Sequence, residues 1–457
     1  MKKTVTAIFD IGKTNKKFFL FDTNFQEVYR EYIKIDEIVD EDGHPTENLP
    51  ALRHWVKKVF DRILNTEKYD IKAINFSSYG ASLVHLNKNR EVILPMYNYT
   101  KQMPASITQS FYEKYGPELE FHQCTGSSNL GMLNVGMHLY WLKYAKPDIF
   151  KQIKYSLHLP QYLSFVFTGI PLSEYTSIGC HTALWDYNKK DYHSWVYSEQ
   201  LNEILPPIVS TETSINMAYK GKCIKIGVGI HDSSAALLPY LRSVKTPFIL
   251  VSTGTWSISL NPFIDKILSK KDAESGCVNY MLINGRPVKS SRVFLGNEYK
   301  IQIEKLTTHY GVHKDYHKTV NFVYDIYHKI MKEFDNIFHW ESIETADMPS
   351  ETILPYTSFE YAYHHLMIEL INLEVHSINK AKGEMKIDHL FVDGGFSDNA
   401  IYIQLLSRHF KNIELYTADS SLGSALGAAI CISDSPLNSK FLKKNYSLKK
   451  HIPFITK

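Results

Sequence analysis

Two short segments of the chain place glycine and hydroxyl-bearing residues at a turn between apolar strands. The first spans residues 10–17 and the second spans residues 252–257. A turn that contains glycine lets backbone N–H groups approach a phosphate closely, and neighbouring Thr or Ser hydroxyls add further donors. The two segments therefore predict a pair of turns that hold one polyphosphate from both sides, with one turn in each of two domains.

Two aspartates could supply the carboxylates that phosphoryl transfer requires. Asp10 ends a strand beside the first glycine turn, which suits a group that holds Mg²⁺ or its water shell against phosphates. Asp232 follows the glycine-containing strand end 227–229 and precedes a run of small residues. A carboxylate at that position can take the proton of an acceptor hydroxyl during transfer. Each aspartate also has a structural interpretation, Asp10 as a cap of its own turn and Asp232 as a helix N-cap.

The turns themselves offer the donors for the phosphates. Thr14, Gly254 and Thr255 would line the β- and γ-phosphates. Lys13, Lys16 and Lys17 place three ammonium groups in the first turn, but side chains alternate along a strand, so at most two of them can face the same side. Lys13 is either a solvated turn residue or an additional phosphate contact.

A pair of glycines later in the chain predicts a nucleotide contact. Gly394 and Gly395 follow an apolar strand, and a helix is expected to open at residue 398 or 399, so the backbone can pass close to an adenine ring or a ribose. The alternative is a simple strand-to-helix turn. Small residues at 423, 425 and 427 would leave room for the same nucleotide. The pattern is neither GxGxxG nor GxxxxGK[ST], which argues against a dinucleotide-binding or P-loop enzyme.

Length and composition limit the function classes. The 457 residues exceed what one core normally holds, so two domains are expected. Lys plus Arg number 51 against 48 for Asp plus Glu, without a long basic block, which argues against nucleic acid as a partner. The five cysteines lack CxxC or Cys/His spacing and predict neither a disulfide framework nor a zinc site. Since no stretch approaches 18 uncharged apolar residues, we expect no membrane span and a cytoplasmic protein.

Hydrophobic patterning predicts an α/β chain built from a duplicated unit, because both halves begin with a phosphate-type hairpin. Around residues 205–210 the pattern weakens, and two consecutive prolines disfavour a regular element, so the crossing between domains is expected between residues 213 and 232. The domains are predicted as 1–225 and 226–457. The predicted strands are 4–9, 18–21, 28–35, 71–76, 82–86, 92–95, 248–252, 256–260 and 389–392, and the predicted helices are 49–64, 131–143, 159–167, 357–382, 398–410 and 421–431.

These motifs, in this order, resemble those of the FGGY carbohydrate kinases. The matching motifs are Asp10-x-Gly12-x-Thr14-x-x-Lys17, Gly229-Ile230-His231-Asp232, Ser252-Thr253-Gly254-Thr255, the segment 393–399 and the segment 423–429. The resemblance covers most of the chain. It implies two actin-like, ribonuclease-H-type ATPase domains with an interdomain active-site cleft, a sugar-binding N-terminal domain, a nucleotide-binding C-terminal domain, and ATP and Mg²⁺ as cofactors.

The resemblance also assigns roles to residues. It makes Asp232 the catalytic base and Asp10 the metal ligand. It implies that the nucleotide and its phosphates contact Gly12, Thr14, Lys17, Gly254, Thr255, Gly394, Gly395, Asn399 and Gly423. It implies that the sugar contacts Ser78, Tyr79, Gly80, Thr176, His231 and Asp232. At residues 98–101 the chain departs from the family, which commonly has an Asp or Arg there.

The expected substrate is a small sugar. Trp256 directly after the second turn, together with the segment 229–232, looks most like kinases of 6-deoxy-ketoses such as rhamnulose and fuculose, which phosphorylate the 1-hydroxyl. Kinases of the xylulose or ribulose type share nearly all the motifs and stay open. A non-catalytic nucleotide-binding sugar sensor on the same fold is the alternative from another class, and the presence of both Asp10 and Asp232 favours the enzyme. The expected assembly is a monomer or a homodimer.

Overall fold

Strands and helices alternate along most of the chain. The computed structural model describes residues 2–418, 422–434, 436–437 and 440–454. The strands are β1 (Lys3–Ile11), β2 (Lys16–Asp22), β3 (Glu27–Ile33), β4 (Ile38–Val39), β5 (Pro45–Thr46), β6 (Tyr69–Ser78), β7 (Leu83–Leu86), β8 (Tyr155–His158), β9 (Ser173–Glu174), β10 (Trp185–Asp186), β11 (Asp191–Tyr192), β12 (Ile208–Val209), β13 (Ser214–Tyr219), β14 (Lys222–Gly227), β15 (Ile230–His231), β16 (Phe248–Thr253), β17 (Ser257–Asn261), β18 (Val278–Met281), β19 (Pro287–Val293), β20 (His389–Gly394), β21 (Glu414–Ala418) and β22 (Lys449–His451).

The α-helices lie between these strands. They are α1 (Leu49–Leu64), α2 (Ala105–Tyr115), α3 (Glu118–Thr125), α4 (Val135–Ala145), α5 (Pro147–Phe150), α6 (Leu159–Thr168), α7 (Tyr175–Gly179), α8 (Ser194–Ser198), α9 (Asp232–Ser243), α10 (Lys270–Glu274), α11 (Leu295–His309), α12 (Tyr324–Lys332), α13 (Phe359–Lys382), α14 (Ala400–His409), α15 (Gly423–Cys431) and α16 (Phe441–Asn445). Short 3₁₀ turns occur at Gly131–Leu133, Leu201–Glu203 and Tyr316–Thr319.

The chain divides into two compact units that are interleaved in sequence. Unit 1 comprises residues 1–243, 265–288 and 422–439, and unit 2 comprises residues 244–264, 289–421 and 440–457. The predicted domains 1–225 and 226–457 are contiguous, so the two divisions differ. Segments from the second half of the chain pack with unit 1, α15 and α9 among them. The assignment of sugar binding to one predicted domain and nucleotide binding to the other stays a prediction.

Unit 1 is organised by a mixed sheet in the order β13-β14-β6-β1-β2-β3, with β15 also paired to β6. Strands β1, β14 and β15 run parallel to β6, whereas β2 and β3 continue the sheet from β1 in antiparallel fashion. Helix α1 covers this sheet because its apolar residues recur at helical spacing, and Trp55 packs edge-on against Phe9 of β1 at 5.4 Å between ring centroids. The side chain of Asn48 caps the helix by accepting from the Ala51 backbone N–H at 3.1 Å.

Unit 2 repeats the same strand pattern. Its sheet follows the order β19-β17-β16-β20-β21-β22. Strands β16, β20 and β21 are parallel neighbours, and β17, β19 and β22 join in antiparallel fashion. In position, direction and chain order, β16, β17, β19, β20 and β21 correspond to β1, β2, β3, β6 and β14, whereas β22 and β13 share only an antiparallel edge position, since β22 follows β21 and β13 precedes β14. The predicted duplication of one α/β unit is therefore confirmed by the topology. The long helix α13 packs its apolar face against the unit 2 core.

Most predicted elements are present, and two regions differ. The expected strand at 92–95 is wrong, because this segment contributes only an isolated bridge between Val92 and Leu86. Residues 205–210, where the sequence disfavours a regular element, contain the short strand β12, and the hairpin β13–β14, which the sequence does not predict, extends the sheet of unit 1. The proline pair precedes these strands, so it does not interrupt them. The predicted helix 421–431 is observed as α15, and residue 421 lies outside the described residues.

Candidate active site

Three parallel strands of unit 1 end at the same edge of the sheet. Asp10 of β1 lies opposite Ser77 of β6, and Ser78 of β6 lies opposite both Ile11 and His231. Since the carboxyl ends of parallel strands meet at one edge, Asp10 and the start of helix α9 at Asp232 come together there. Two of the predicted functional carboxylates thus share one edge of unit 1.

Asp10 is buried beside charged and hydroxyl groups. The hydroxyl of Ser424, at the start of α15, donates a hydrogen bond to the Asp10 carboxylate at 2.8 Å. The Lys17 ammonium, on the neighbouring strand, lies 3.7 Å from the other carboxylate oxygen. Burial raises the pKa of the Asp10 carboxyl and the charge of Asp232 raises it further, whereas Lys17 and Ser424 lower it. The site therefore brings two carboxylates close enough to affect each other, which is an oxygen donor set suited to a hard divalent cation.

Asp232 is the first residue of helix α9 and remains accessible, with 33% of its side chain exposed. The Ser233 hydroxyl donates to its carboxylate at 3.2 Å, and the Nε2 atom of His231 lies 3.6 Å away. Burial of the carboxyl group raises the pKa of Asp232 to about 6. Because a general base works best with a pKa close to the operating pH, this group is well placed to accept a proton near neutrality.

His231 lies between two of the predicted sugar contacts, Thr176 and Gly80. Its backbone N–H donates to the Thr176 hydroxyl at 3.0 Å, and this hydroxyl is bonded in turn to the buried carboxylate of Glu174 at 2.9 Å. A Cβ atom at Gly80 would come within 2.8 Å of the imidazole Nε2, so the ring needs glycine there. Burial lowers the pKa of His231 to about 4, which keeps the ring neutral.

Two of the predicted sugar contacts have their hydroxyls engaged within the protein. Thr176 is bonded as described, and the Ser78 hydroxyl donates to the Ile11 carbonyl at 3.1 Å. Both residues are fully buried. The geometry gives them a positioning role at the strand ends, and direct contact with a sugar stays a prediction for them. The hydroxyl of Tyr79, another predicted sugar contact, donates its proton to Glu47 at 2.9 Å and can still accept a hydrogen bond.

The three lysines of the first turn separate as the alternation of side chains predicts. Lys16 is buried and pairs with Glu47 at 2.8 Å, and Lys13 pairs with Glu37. Only Lys17 reaches Asp10. Within the turn, the Gly12 N–H donates to the Asn15 carbonyl at 3.0 Å and Thr14 is exposed. The turn thus exposes Thr14 and places one ammonium group, that of Lys17, beside Asp10.

Tyr99 belongs to the segment where the chain departs from the family pattern. Burial raises the pKa of the Tyr99 hydroxyl and the charge of Asp232 raises it further, which indicates that the two groups are near each other. Its ring packs edge-on against Tyr79 at 6.4 Å. Lys101, from the same segment, is held by Asp40 at 2.6 Å. Tyr99 is therefore a polar group near the proposed base that the motifs did not reveal.

Unit 2 contains a cavity of about 570 Å³ at the ends of its own parallel strands. It is lined by Gly254, Gly395 and Asn399, three of the residues predicted for the nucleotide. The other lining residues are Gly296, Tyr299, His317, Lys318, Val320, Asn321, Tyr363, Phe396, Asp398 and Ala400. Aromatic faces with a few polar groups are typical of sites that take a planar ring. No motif pointed to the residues from 296 to 363.

The glycines around this cavity are required by close backbone contacts. Gly394 has a φ of +84°, and a Cβ atom there would overlap the Thr253 carbonyl oxygen. A Cβ atom at Gly296 would overlap the Gly254 carbonyl oxygen. A hydrogen bond also joins the ends of strands β16 and β20, since the N–H of Gly395 donates to the Thr253 carbonyl at 2.8 Å. The turn closes through the N–H of Gly254, which donates to the Trp256 carbonyl at 2.8 Å.

Gly423 and the small residues after it belong to unit 1 and not to this cavity. Gly423 begins helix α15 directly before Ser424, the partner of Asp10. A Cβ atom at Gly427 would overlap the Ala235 carbonyl of helix α9. The small-residue face that was expected to leave room for a nucleotide therefore serves helix packing at Gly427. A nucleotide contact at Gly423 stays a prediction.

Comparison with known proteins agrees with this arrangement. Residues 5–237 match the N-terminal domain of the FGGY family of carbohydrate kinases, and residues 245–331 match the C-terminal domain of the carbohydrate kinase FGGY family. The match to the N-terminal domain alone spans half of the chain. The protein therefore belongs to the FGGY family of carbohydrate kinases.

Individual relatives are distant. The chain is 23% identical to a rhamnulokinase from Mannheimia succiniciproducens over 55% of its own length and 52% of the relative. It is 24% identical to a xylulose kinase from Bacillus subtilis over 48% of its own length and 44% of the relative. The chain thus aligns with only about half the length of these curated relatives.

Solved structures extend the similarity to the whole chain. A carbohydrate kinase from Novosphingobium aromaticivorans has a TM-score of 0.82 at 21% identity, covering 99% of this chain and 95% of that protein. A Plasmodium falciparum glycerol kinase with ADP has a TM-score of 0.74 at 16% identity, covering 95% and 91%. These similarities confirm the predicted fold class of two actin-like ATPase domains. Within the described residues, no helix combines the length and the apolar character that crossing a membrane would require.

Proposed function

We propose that this protein is an ATP-dependent sugar kinase that transfers the γ-phosphate of MgATP to a hydroxyl of a small sugar. The proposal rests on the strand edge of unit 1, where the accessible carboxylate of Asp232 has a pKa of about 6. This carboxylate lies close enough to Asp10 for its charge to raise the pKa of Asp10. Family membership supports the same reaction class. A base with this pKa is largely ionised at neutral pH and can accept the proton of an alcohol.

In the proposed reaction, Asp232 accepts a hydrogen bond from the acceptor hydroxyl and orients the oxygen toward the γ-phosphorus. It takes the proton as the new O–P bond forms and the bond between the γ-phosphorus and the leaving ADP breaks. His231 stays neutral beside it and does not compete for that proton. Lys17 offsets negative charge at Asp10 and faces the phosphates together with Gly12 and Thr14.

Asp10 would hold the Mg²⁺ ion, since it lies beside a second carboxylate and has oxygen donors around it. When bound, the ion neutralises charge on the phosphate oxygens. We assign the nucleoside to the cavity of unit 2 with Gly394, Gly395 and Asn399, assign Gly254 and Thr255 to the β- and γ-phosphates, and keep Gly423 as a candidate contact. The ADP in the glycerol kinase of the same fold supports the choice of an adenine nucleotide.

The favoured substrate is a ketose such as L-rhamnulose or L-fuculose, phosphorylated at the 1-hydroxyl. The rhamnulokinase relative supports this choice, and the xylulose kinase relative keeps a pentulose as the second candidate. We place Tyr79, Gly80, His231 and Asp232 around the sugar, with Ser78 and Thr176 behind them. A cytoplasmic monomer or homodimer without nucleic-acid or membrane partners remains the prediction for its setting.

The test is ADP release from ATP and Mg²⁺ with a panel of ketoses, aldoses and polyols. We expect turnover that requires one class of sugar and falls about 10²–10⁴-fold in Asp232→Asn. Asp148→Asn is the matched control, because Asp148 is almost fully exposed on the surface of unit 1. If nucleotide and sugar bind but no ADP is released, the protein is a sensor. If Asp232→Asn keeps the parent rate, the assignment of the base is wrong.

A further inference from the structure

Three side chains of the kinds that bind transition metals meet in unit 1, outside the residues assigned to the kinase site. They are Cys124 at the end of helix α3, Asp186 at the end of strand β10 and His193 directly before helix α8. One ligand atom from each lies within 4.8 Å of the other two. Their spacing along the chain matches no metal-binding motif, which explains why the sequence predicted no zinc site.

Backbone contacts hold the three segments together. The N–H of Tyr187, next to Asp186, donates to the Cys124 carbonyl at 2.9 Å. The N–H of His193 donates to the Leu184 carbonyl at 2.7 Å. The His193 ring also packs against Phe121 of helix α3 at 5.0 Å between centroids. The cluster is therefore fixed by the fold and does not depend on mobile surface side chains.

The carboxylate of Asp186 is oriented for one further partner. One of its oxygens accepts the backbone N–H groups of Asn188 and Lys189 at 2.9 and 3.1 Å. The other oxygen has the Lys189 ammonium 3.8 Å away, on a side chain that is 60% exposed and can turn into solvent. Asp186 itself is buried. Outer contacts that fix a ligand while leaving one donor atom accessible are typical of metal sites.

The thiol of Cys124 and the ring of His193 are both neutral in the metal-free protein, so metal binding must displace the thiol proton. Burial raises the pKa of the Cys124 thiol to about 11, with a contribution from the charge of Asp186. Burial lowers the pKa of His193, so its ring is neutral at pH 7. The Nδ1 atom of His193 accepts the Trp195 N–H at 3.3 Å, a long bond. Ligation through Nε2 moves the ring proton to Nδ1 and gives up this bond.

We propose that Cys124, Asp186 and His193 form a binding site for Zn²⁺ or a chemically similar divalent ion, with a water molecule as the fourth ligand. One sulfur, one nitrogen and one oxygen donor favour a borderline-soft metal over Mg²⁺. Ligand atoms of a tetrahedral zinc ion lie roughly 3.3–3.8 Å apart, given bonds of about 2.0–2.3 Å, so binding draws the three groups closer by at most about 1.5 Å. The thiol proton leaves to solvent as the sulfur–metal bond forms.

Co²⁺ reports this site because a thiolate ligand adds an intense near-ultraviolet charge-transfer band. We expect one equivalent of Co²⁺ to produce that band, together with visible bands of tetrahedral geometry, in the metal-free full-length protein, and Zn²⁺ to abolish them. Cys124→Ser should lose the thiolate band. Cys223→Ser is the control, because Cys223 is exposed on strand β14 and should leave the band unchanged.

Asp186→Asn provides an independent arm, since the amide oxygen can keep the two backbone hydrogen bonds of the turn. It should bind Zn²⁺ at least about tenfold more weakly in competition with a chelating dye. Zn²⁺ should also raise the thermal midpoint of the parent protein but not that of Cys124→Ser. Co²⁺ held only by Asp10 and Asp232 has no thiolate band. The proposal is overturned if the parent shows no such band, or if Cys124→Ser retains it.

Discussion

The hairpins β1–β2 and β16–β17 occupy equivalent places in the two sheets, yet they present different chemistry. In unit 1 the strand ends carry charge, since Asp10 and Lys17 are cross-strand partners. In unit 2 the equivalent positions of the hairpin are neutral, with Ser252 opposite Ile258, and the backbone is packed so closely that glycine is needed on two sides. One duplicated scaffold therefore supplies an electrostatic site in one unit and a close backbone contact in the other.

The pairing of the parallel strands shows where the residues of the two units differ. Asp10 of β1 pairs with Ser77 of β6, whereas Ser252 of β16 pairs with Asp393 of β20. In unit 1 the carboxylate is on the first strand of the hairpin and the serine is on its parallel neighbour, and in unit 2 the two residue types are the other way round. The carboxylate of unit 2 thus stands on the neighbouring parallel strand β20, and its place on the hairpin itself in unit 1 fits the proposal that the hairpin turn of unit 1 holds the metal.

Among the variants that test this contrast, the largest effect is expected from removing the charge of Asp10 in unit 1. Asp10→Asn keeps the shape of the side chain but removes its charge, so we expect kcat for sugar phosphorylation to fall about 10²–10³-fold, as for the loss of one preorganised electrostatic group. Ser424→Ala removes only a hydrogen-bond partner of Asp10 and should lose less than tenfold. Steady-state ADP release measures both. Equal losses in the two variants would mean that orientation of Asp10, and not its charge, matters.

A further ionisable group of unit 2 lies on the long helix α13, behind the hairpin β16–β17. Glu374 of α13 is fully buried near Ser257 and Tyr402, and burial raises its pKa to about 7. A raised carboxyl pKa stabilises the fold at low pH, and this stabilisation is lost as the pH rises from about 4.5 to about 7. The loss is on the order of 3 kcal/mol for such a shift.

Glu374→Gln removes this titration. The variant should therefore become more stable relative to the parent, with a larger free energy of unfolding, as the pH increases from 5 to 8. Urea unfolding of both proteins across that range measures the difference, and Asp148→Asn serves as the control for an exposed carboxylate. A difference that does not change with pH would show that Glu374 is ionised throughout and that its burial is compensated.

The close backbone contact in unit 2 is tested by adding one methyl group. Gly394→Ala places a Cβ against the Thr253 carbonyl at a positive φ. We expect overpacking to lower the free energy of unfolding by about 1–3 kcal/mol, in addition to the cost of the positive φ. We also expect weaker ATP binding. Gly311→Ala is the matched control, with a φ of +64° and no atom within 4 Å of the added carbon. It should lose only about 1 kcal/mol and keep ATP binding.

Calorimetric ATP titration and urea unfolding separate these effects. If Gly394→Ala is as stable as Gly311→Ala, the two strand ends can move apart without cost, and the contrast between the two turns is weaker than the geometry indicates.

Much of the fold followed from local patterns, whereas the partners of the site did not. Apolar periodicity gave α1 and both hairpins because burial on one face imposes it. Strand β6 could be predicted, but the hairpin β13–β14 could not, since its residues are only partly buried and alternate weakly. Asp10 and Asp232 stood out beside glycine turns. Ser424 and Tyr99 approach them from distant parts of the chain, and no local pattern records such contacts.

The smallest expected effect concerns the pH dependence of the unit 1 site. If Asp232 is the base, kcat/KM should rise about tenfold per pH unit below pH 6 and level off above it, because only the ionised carboxylate accepts the proton. The neutral His231 does not produce this limb, since its pKa lies near 4. Residual activity of Asp232→Asn should lack the limb. A profile that stays flat between pH 5 and 7 in the parent, or a limb that survives in Asp232→Asn, would assign proton transfer to another group and leave Asp232 as a positioning residue at the strand edge.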